Sequence, residues 1–294
     1  MRVVGGSNPL VPTFFTVGWP VGPTLNGVGG PANAGSTMPK ILVTNDDGIQ
    51  SPALEALEIA LGSIGHVTVV APDREMSATS QCITINQTLR YQQLAANRFA
   101  VHGTPSDCVI LASGRILKEK PSLVVSGVNR GANVGDDIAY SGTVAAAFEA
   151  ALQGIPGIAI STYARGNPDY MPAAKVAARL AAKVLQDGLP PDVILNVNYP
   201  EDWNGDFRLT RQGRRGGKTV LVENLDPRSR QYSWLHEEPR RSHGYGGAVE
   251  PLTDFEAIAE GYVSICPLQL DRTAHLYFDH FTRWSELLDL EILK

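Results

Sequence analysis

Between Lys40 and about Tyr199 the chain alternates short apolar runs with segments of helical spacing. Ile41–Thr44 is a run rich in branched side chains, and it stops at Asn45-Asp46-Asp47-Gly48. Ser51 then offers an N-cap oxygen, and Pro52 suits the first helical position. Leu54, Leu57, Ile59 and Leu61 give this segment an apolar side, and Gly62 and Gly65 end it. His66–Val70 is a second strand, closing at Ala71-Pro72-Asp73-Arg74. Strand, helix, strand in that order is a βαβ unit, so the two strands are expected to be parallel.

The rhythm changes over residues 81–103. Cys82–Ile85, Leu89–Tyr91 and Arg98–Val101 read as short strands, a β excursion inserted in the α/β frame. Thr104 with Asp107 three residues on predicts a capped helix to about Ala112. Leu123–Ser126 is a buried strand, and a long loop over 127–140 follows it. Ser141-Gly142-Thr143 opens an Ala-rich helix to about Gln153. Ile158–Ser161 and Val193–Val197 are strands on either side of an amphipathic helix over 171–187. This alternation predicts a doubly wound, Rossmann-like α/β fold with a mostly parallel sheet.

Past Tyr199 the pattern fails. Short strands and an Arg/Gly-rich turn (Arg211–Lys218) suggest an arm rather than a second compact core. Three regions are therefore expected: 1–37, 38–200 as the catalytic core, and 201–294 as an arm that returns to the core. Residues 1–37 are rich in Gly, Pro and Asn, with Arg2 as their one charged side chain. They read as a disordered tail, or as upstream sequence if translation starts at Met38. Pro9, Pro12 and Pro20 speak against a signal peptide.

Composition narrows the class. The 294 residues are 43% hydrophobic and 19% charged, ordinary for a globular protein with an adequate core. A net charge of −5 gives no electrostatic footprint for a nucleic-acid duplex, so an anionic substrate needs a local source of positive charge. Cys82, Cys108 and Cys266 form neither a disulfide framework nor a metal pattern, which fits a reducing compartment. Cys82 and Cys108 sit in apolar runs and are expected to pack there. The sequence holds no apolar run long enough for a transmembrane helix, so no membrane partner is expected.

The candidate chemistry lies at strand ends, where open α/β sheets keep their ligands. Asp46 and Asp47 follow the first strand and can hold a hard divalent cation, Mg²⁺ or Mn²⁺, one directly and the other partly or through water. The loop Ala71–Ser80 contributes Ser77, Thr79 and Ser80, and adjacent parallel strands should place it beside Asp46. In the loop Ser126–Asp137, glycines let the backbone approach a ligand closely. There Asn129 can offer a carbonyl oxygen to a metal, and Asn133 an amide donor to a phosphate. Backbone N–H groups and hydroxyls at Ser141-Gly142-Thr143 make an anion site at a helix start. Neither the Walker spacing nor the dinucleotide Gly-x-Gly-x-x-Gly is present, and no Gly-x-Ser-x-Gly elbow marks a serine hydrolase. Together these pieces predict metal-assisted hydrolysis of a phosphate ester. Two alternatives are an aspartyl-phosphate phosphatase, whose Asp-x-Asp-x-Thr signature is absent, and a nucleotide-binding protein without turnover.

The motifs also resemble a known family, the SurE (survival protein E) 5′/3′-nucleotidases. The matching segments are Thr44–Gly48, Ala71–Arg74 with Ser77, Gly103–Cys108, Ser126–Asp137 and Tyr140–Ala147. Asp226-Pro227-Arg228 with Tyr232 and Trp234, and Gly261–Ile265, continue the likeness, which spans about residues 40–275 in order. The resemblance implies Asp46, Asp47, Ser77 and Asn129 as ligands of one divalent ion per subunit, Mg²⁺ or Mn²⁺ with Co²⁺ as a further option. Asp46 and Asp47 are then the catalytic pair, and Asn133, Ser141, Gly142 and Thr143 the phosphate and substrate site. It also implies nucleoside 5′-monophosphates, with 3′-monophosphates beside them, as substrates, a cytoplasmic home, and homodimers or homotetramers built through the C-terminal arm. Two backbone-shaping positions depart from the family pattern: Ala78 stands where Gly is usual, and Ala132 where Pro is usual.

Overall fold

The computed structural model describes residues 38–163, 166, 168–214, 219–237, 251–282 and 284. The expected extension at 1–37, residues 215–218 of the Arg/Gly-rich turn, and parts of the expected arm lie outside the described residues.

The first βαβ unit is β1 (Lys40–Thr44), α1 (Pro52–Leu61) and β2 (His66–Pro72), and its strands are parallel. An edge hairpin follows, β3 (Tyr91–Ala95) and β4 (Arg98–Val101), and then α2 (Pro105–Leu111). The chain continues through β5 (Leu123–Arg130), α3 (Gly142–Leu152), β6 (Gly157–Tyr163), α4 (Met171–Asp187) and β7 (Val193–Pro200). The later elements are β8 (Phe207–Leu209), β9 (Thr219–Leu225), β10 (Gln231–Glu237), α5 (Asp254–Ala259), β11 (Val263–Gln269) and α6 (Phe278–Thr282).

Nine strands form one sheet in the order β3-β4-β2-β1-β5-β6-β7-β11-β8. The six from β4 to β7 are parallel; β3 and β11 enter antiparallel to their neighbours β4 and β7, and β8 is parallel to β11. Central strands are buried on both faces, and β1 shows why they read as continuous apolar runs. Ile41 and Val43 pack on the side of α1 and α4, while Leu42 packs on the side of α2 and α3. From β1 the chain builds outward through β2 and β4, then crosses to β5 and builds the other way. The strand order therefore reverses at β1 and β5, and a crevice opens at their carboxyl ends.

Three expectations need correction. Ile59 is 60% exposed, whereas Ala53, Leu54, Ala56, Leu57 and Leu61 form the buried side of α1. At about 100° per residue, Ile59 lies on the face opposite Leu57. Cys82–Ile85 is not a strand, and Cys82 is exposed, although Cys108 is buried as expected. Side chains of the α2 cap hold the segment 82–84 instead of a β ladder. Thr84 gives its N–H and hydroxyl to the Asp107 carboxylate, and the Thr104 hydroxyl donates to the Cys82 carbonyl. The second strand expected of the excursion, at Leu89–Tyr91, begins only at Tyr91 and runs to Ala95.

Beyond Pro200 the chain rejoins the same sheet, with β11 beside β7 and β8 at the edge. The hairpin β9–β10 forms a separate two-stranded sheet, paired only with itself among the described residues. No helix among the described residues is long and apolar enough to cross a membrane.

Candidate active site

The turn after β1 is locked by a short side chain. The Asn45 amide donates to the Gly48 carbonyl at 3.2 Å, and its oxygen accepts from the Gly48 N–H at 3.2 Å. This Asx-type turn frees the two intervening carboxylates from turn duty. Asp46 points inward and is buried; its oxygens accept from the Thr143 hydroxyl and, at 3.2 Å, from the Thr143 N–H. Asp47 lies further out, yet its Oδ2 is enclosed and has no hydrogen-bond partner.

The loop after β2 lies beside this turn, since the Met76 N–H donates to the Asp46 carbonyl at 2.7 Å. Glu75, Ser77 and Ala78 thereby reach the cavity wall, and the Ser77 hydroxyl donates to Glu75 at 2.9 Å. Ala78 has φ +58, a left-handed conformation that costs an L residue about 1–2 kcal/mol. That gives a physical reason for glycine to suit this position.

The register of β5 against β6 shifts between Ser126 and Asn129, a bulge that turns Asn129 toward the crevice. Gly127 makes it possible: φ is +136, and an added Cβ would lie 2.1 Å from the Ile160 carbonyl oxygen. The Asn129 amide donates to the Gly131 carbonyl at 2.8 Å, which leaves its oxygen available. Asn133 is buried and held from every side. Its N–H donates to the Asn198 side chain at 2.8 Å, its carbonyl accepts from Asn196 and Asn198, and its amide donates to Ser161 at 2.8 Å.

Ser141 caps α3, accepting from the Val144 N–H at 3.1 Å. Gly142 permits the close approach of α3 to β1, because an added Cβ would lie 2.9 Å from the Asp46 Cβ. Ser141 is on the cavity wall, whereas Gly142 and Thr143 are not among the lining residues. Thr143, expected at the phosphate, spends its hydroxyl and N–H on Asp46, because α3 starts directly behind that carboxylate.

The result is a cavity of about 570 Å³ at the switch point. It is walled by Asp46, Asp47, Ser77, Asn129, Asn133 and Ser141 together with Glu75, Asp137, Arg130 and Tyr170. Four carboxylates face a single guanidinium. Burial raises the pKa of Asp46 against the Thr143 hydrogen bonds, and burial plus the adjacent Asp46 pushes Asp47 up to about 6. Two desolvated acids side by side, one with an orphaned oxygen, are stabilised together by a cation. The Ser77 hydroxyl and the Asn129 carbonyl oxygen complete an all-oxygen donor set of the kind that suits a hard divalent ion. Among the described residues no group of three or more His, Cys, Asp and Glu could hold a metal, so such a set must be mixed.

Sequence reasoning missed the residues behind the wall. Asn196 and Asn198 alternate along β7 and point at the 127–140 loop, a polar period-2 signal inside an apolar strand. Asp254, fully buried at the start of α5, accepts from the Gly135 N–H and the Gly213 N–H, each at 2.8 Å. No local pattern marked it, since its partners are 119 and 41 residues away.

Comparison with known proteins agrees with this architecture. The Survival protein SurE profile matches residues 41–219. The 5′-nucleotidase SurE of Pelobacter propionicus is 46% identical over 248 residues, covering 83% of this chain and 98% of that protein. Its counterpart from Syntrophotalea carbinolica is 47% identical over 249 residues, covering 83% and 97%. The crystal structure of Sure protein from Aquifex aeolicus superposes with a TM-score of 0.72 at 39% identity, covering 84% of this chain and all of that one. The chain belongs to the Survival protein SurE family.

Proposed function

We propose that this chain is a metal-dependent phosphomonoesterase that converts nucleoside 5′-monophosphates, and 3′-monophosphates by the same chemistry, to nucleoside and phosphate. The observation that carries it is the enclosed, unpartnered Asp47 oxygen beside the buried Asp46 carboxylate, at the crevice where the strand order reverses. Asp46, Asp47, Ser77 and Asn129 would hold one Mg²⁺ or Mn²⁺, with Co²⁺ as a substitute. When bound, the ion supplies Lewis-acid polarisation of a phosphoryl oxygen and a water of lowered pKa.

The chain's own residues do the rest. Thr143 holds Asp46 in one orientation, and Glu75 accepts a hydrogen bond from the Ser77 hydroxyl, whose oxygen lone pairs stay free. Asn133 and Ser141 offer donors to the phosphate oxygens from the cavity wall, with Gly142 and Thr143 behind that wall. Water adds to phosphorus, the ester P–O bond breaks, and the nucleoside leaves as an alcohol. As an aspartyl nucleophile Asp46 loses support, because both its oxygens already accept from Thr143.

The test is phosphate release from AMP with Mg²⁺ or Mn²⁺, followed by chelation. Activity should disappear with excess EDTA and return when the metal is restored. Release that survives complete metal removal would overturn the proposal.

The assembly is proposed as a homodimer or homotetramer built through the β9–β10 hairpin. An isolated two-stranded hairpin is marginal in water. This one leaves Leu221, Leu225, Trp234 and Leu235 each more than half exposed, an apolar surface of the kind that marks an interface. Light scattering at micromolar concentration should give a mass of two or four chains, and a monomer would overturn the assignment. Three free thiols, at Cys82, Cys108 and Cys266, suit a cytoplasmic home.

A further inference from the structure

At the amino ends of β1, β2 and β4, opposite the acidic loop, the α2 face of the sheet loses its cover. α2 has seven residues and runs about 10 Å. One π-helical turn, Ala112–Ile116, follows it, and the chain becomes extended at Leu117. There a cavity of about 320 Å³ opens between the sheet and residues 116–119. It shares no residue with the catalytic cavity. Lys40 on its wall begins β1 and Asp46 follows the other end, so the length of the strand, about 16 Å, separates them.

Strand alternation sets which side chains face this space. Ile41, Val69 and Ala100 pack on the side of α1, so Lys40, Thr68 and Phe99 face the side of α2. The floor is apolar: Phe99, Ile116 and Leu117 are partly buried against the core on that side. The rim is polar. Lys40 and Glu119 pair there at 2.7 Å, and the Asn97 carbonyl accepts from the Val69 N–H at 2.8 Å, which fixes the β3–β4 turn at the mouth. Among the described residues, the side chains of His66, Thr68, Asn97 and Lys118 hydrogen-bond to no other residue.

We propose that this cavity is a binding site for a small aromatic monocarboxylate, separate from the catalytic centre. An apolar floor with a few convergent polar groups is the common make-up of a small-molecule site, and the volume lies at the small end of the usual range of about 300–1,000 Å³. The Phe99 ring with two aliphatic neighbours suits a flat apolar body. Charge selects the head group. Glu119 cancels Lys40, so Lys118 leaves one uncompensated positive charge at the rim. A carboxylate matches that charge, whereas a phosphate dianion would bring a second negative charge toward Glu119. Thr68 and Asn97 have donors for the carboxylate oxygen that Lys118 does not take.

The test is calorimetric titration of the full chain with 2-naphthoate, and with 2-naphthamide as the uncharged analogue of similar shape. Naphthoate should bind with a Kd of about 1 mM or below, the affinity that a ligand of this size reaches at ordinary efficiency. Lys118→Ala should weaken naphthoate about fivefold, the upper scale of an exposed ion pair, and should leave naphthamide within about twofold. Thr68→Phe, which fills the space beside Phe99, should abolish binding of both probes. Both variants should release phosphate from AMP at the wild-type rate, because neither residue lines the catalytic cavity. Asp46→Asn should bind naphthoate as the wild type does.

Lys118 is exposed, so its replacement reads the site even where Thr68→Phe disturbs the strand. Naphthoate affinity within about twofold of wild type in Lys118→Ala would overturn the assignment. So would binding lost in Asp46→Asn, which would move the carboxylate to the catalytic crevice. A wild-type chain with no saturable binding at about ten times the expected Kd would overturn it as well.

Discussion

Replacing Asp46 by Asn should leave a folded protein whose phosphate release from AMP falls by more than about 100-fold, because loss of a group that merely supports a metal ligand already costs about 10–100-fold. Asn keeps the size and shape of Asp, so the close approach of Gly142 to the Cβ at this position is unchanged. The Thr143 hydroxyl, which now donates to the carboxylate, can accept from the new amide instead. What goes is the charge. Burial already works against that charge and raises the Asp46 pKa, so removing it should not lower the melting temperature of the metal-free protein. Loss of activity with equal or higher stability is the signature of a functional buried charge. A variant that turns over AMP at the wild-type rate with metal bound would remove Asp46 from the site.

Replacing Asp254 by Ala should cost about 3 kcal/mol of stability, since two enclosed N–H groups lose their acceptor at about 1–3 kcal/mol each. Those groups belong to Gly135, at the end of the Gly-rich loop, and Gly213, after β8, and one carboxylate joins the two segments. Asp254→Asn should fare little better. One oxygen of the carboxylate accepts from Gly135 and the other from Gly213 and Phe255, so at least one of these N–H groups would face the NH₂ of an amide, donor against donor. Urea denaturation of the three proteins reads both costs. A loss below about 0.5 kcal/mol for Asp254→Ala, the scale of an ordinary surface substitution, would show that the carboxylate does not clamp the loop. AMP turnover should fall as well, because Asn133 lies only two residues before Gly135.

Local patterns carried most of the frame. The apolar run at Ile41–Thr44 reads as a strand because both its faces are buried, and Ser51 with Pro52 starts α1 because cap and first-turn chemistry is local. Even the capping box at Thr104 and Asp107 was legible from spacing. One departure came from a contact distant in sequence that replaced a local rule, and the other from a local helical angle. Cys82–Ile85 has strand-like composition, yet Thr84 is held by Asp107 from 23 residues away. Ile59 is an apolar residue at the wrong angle, facing a cavity instead of the core.

The sequence by itself determined the doubly wound class, the positions of the loops at strand ends, and the residue types gathered in them. It could do so because period, caps and turns act over a few residues. The tertiary structure alone decided which groups meet: Thr143 turned onto Asp46, Asn196 and Asn198 behind Asn133, and Asp254 closing the loop from the far end of the chain. Those bonds join residues from 63 to 119 positions apart. Their partners are set by strand order and helix docking, and no window of the sequence contains both ends of any of them.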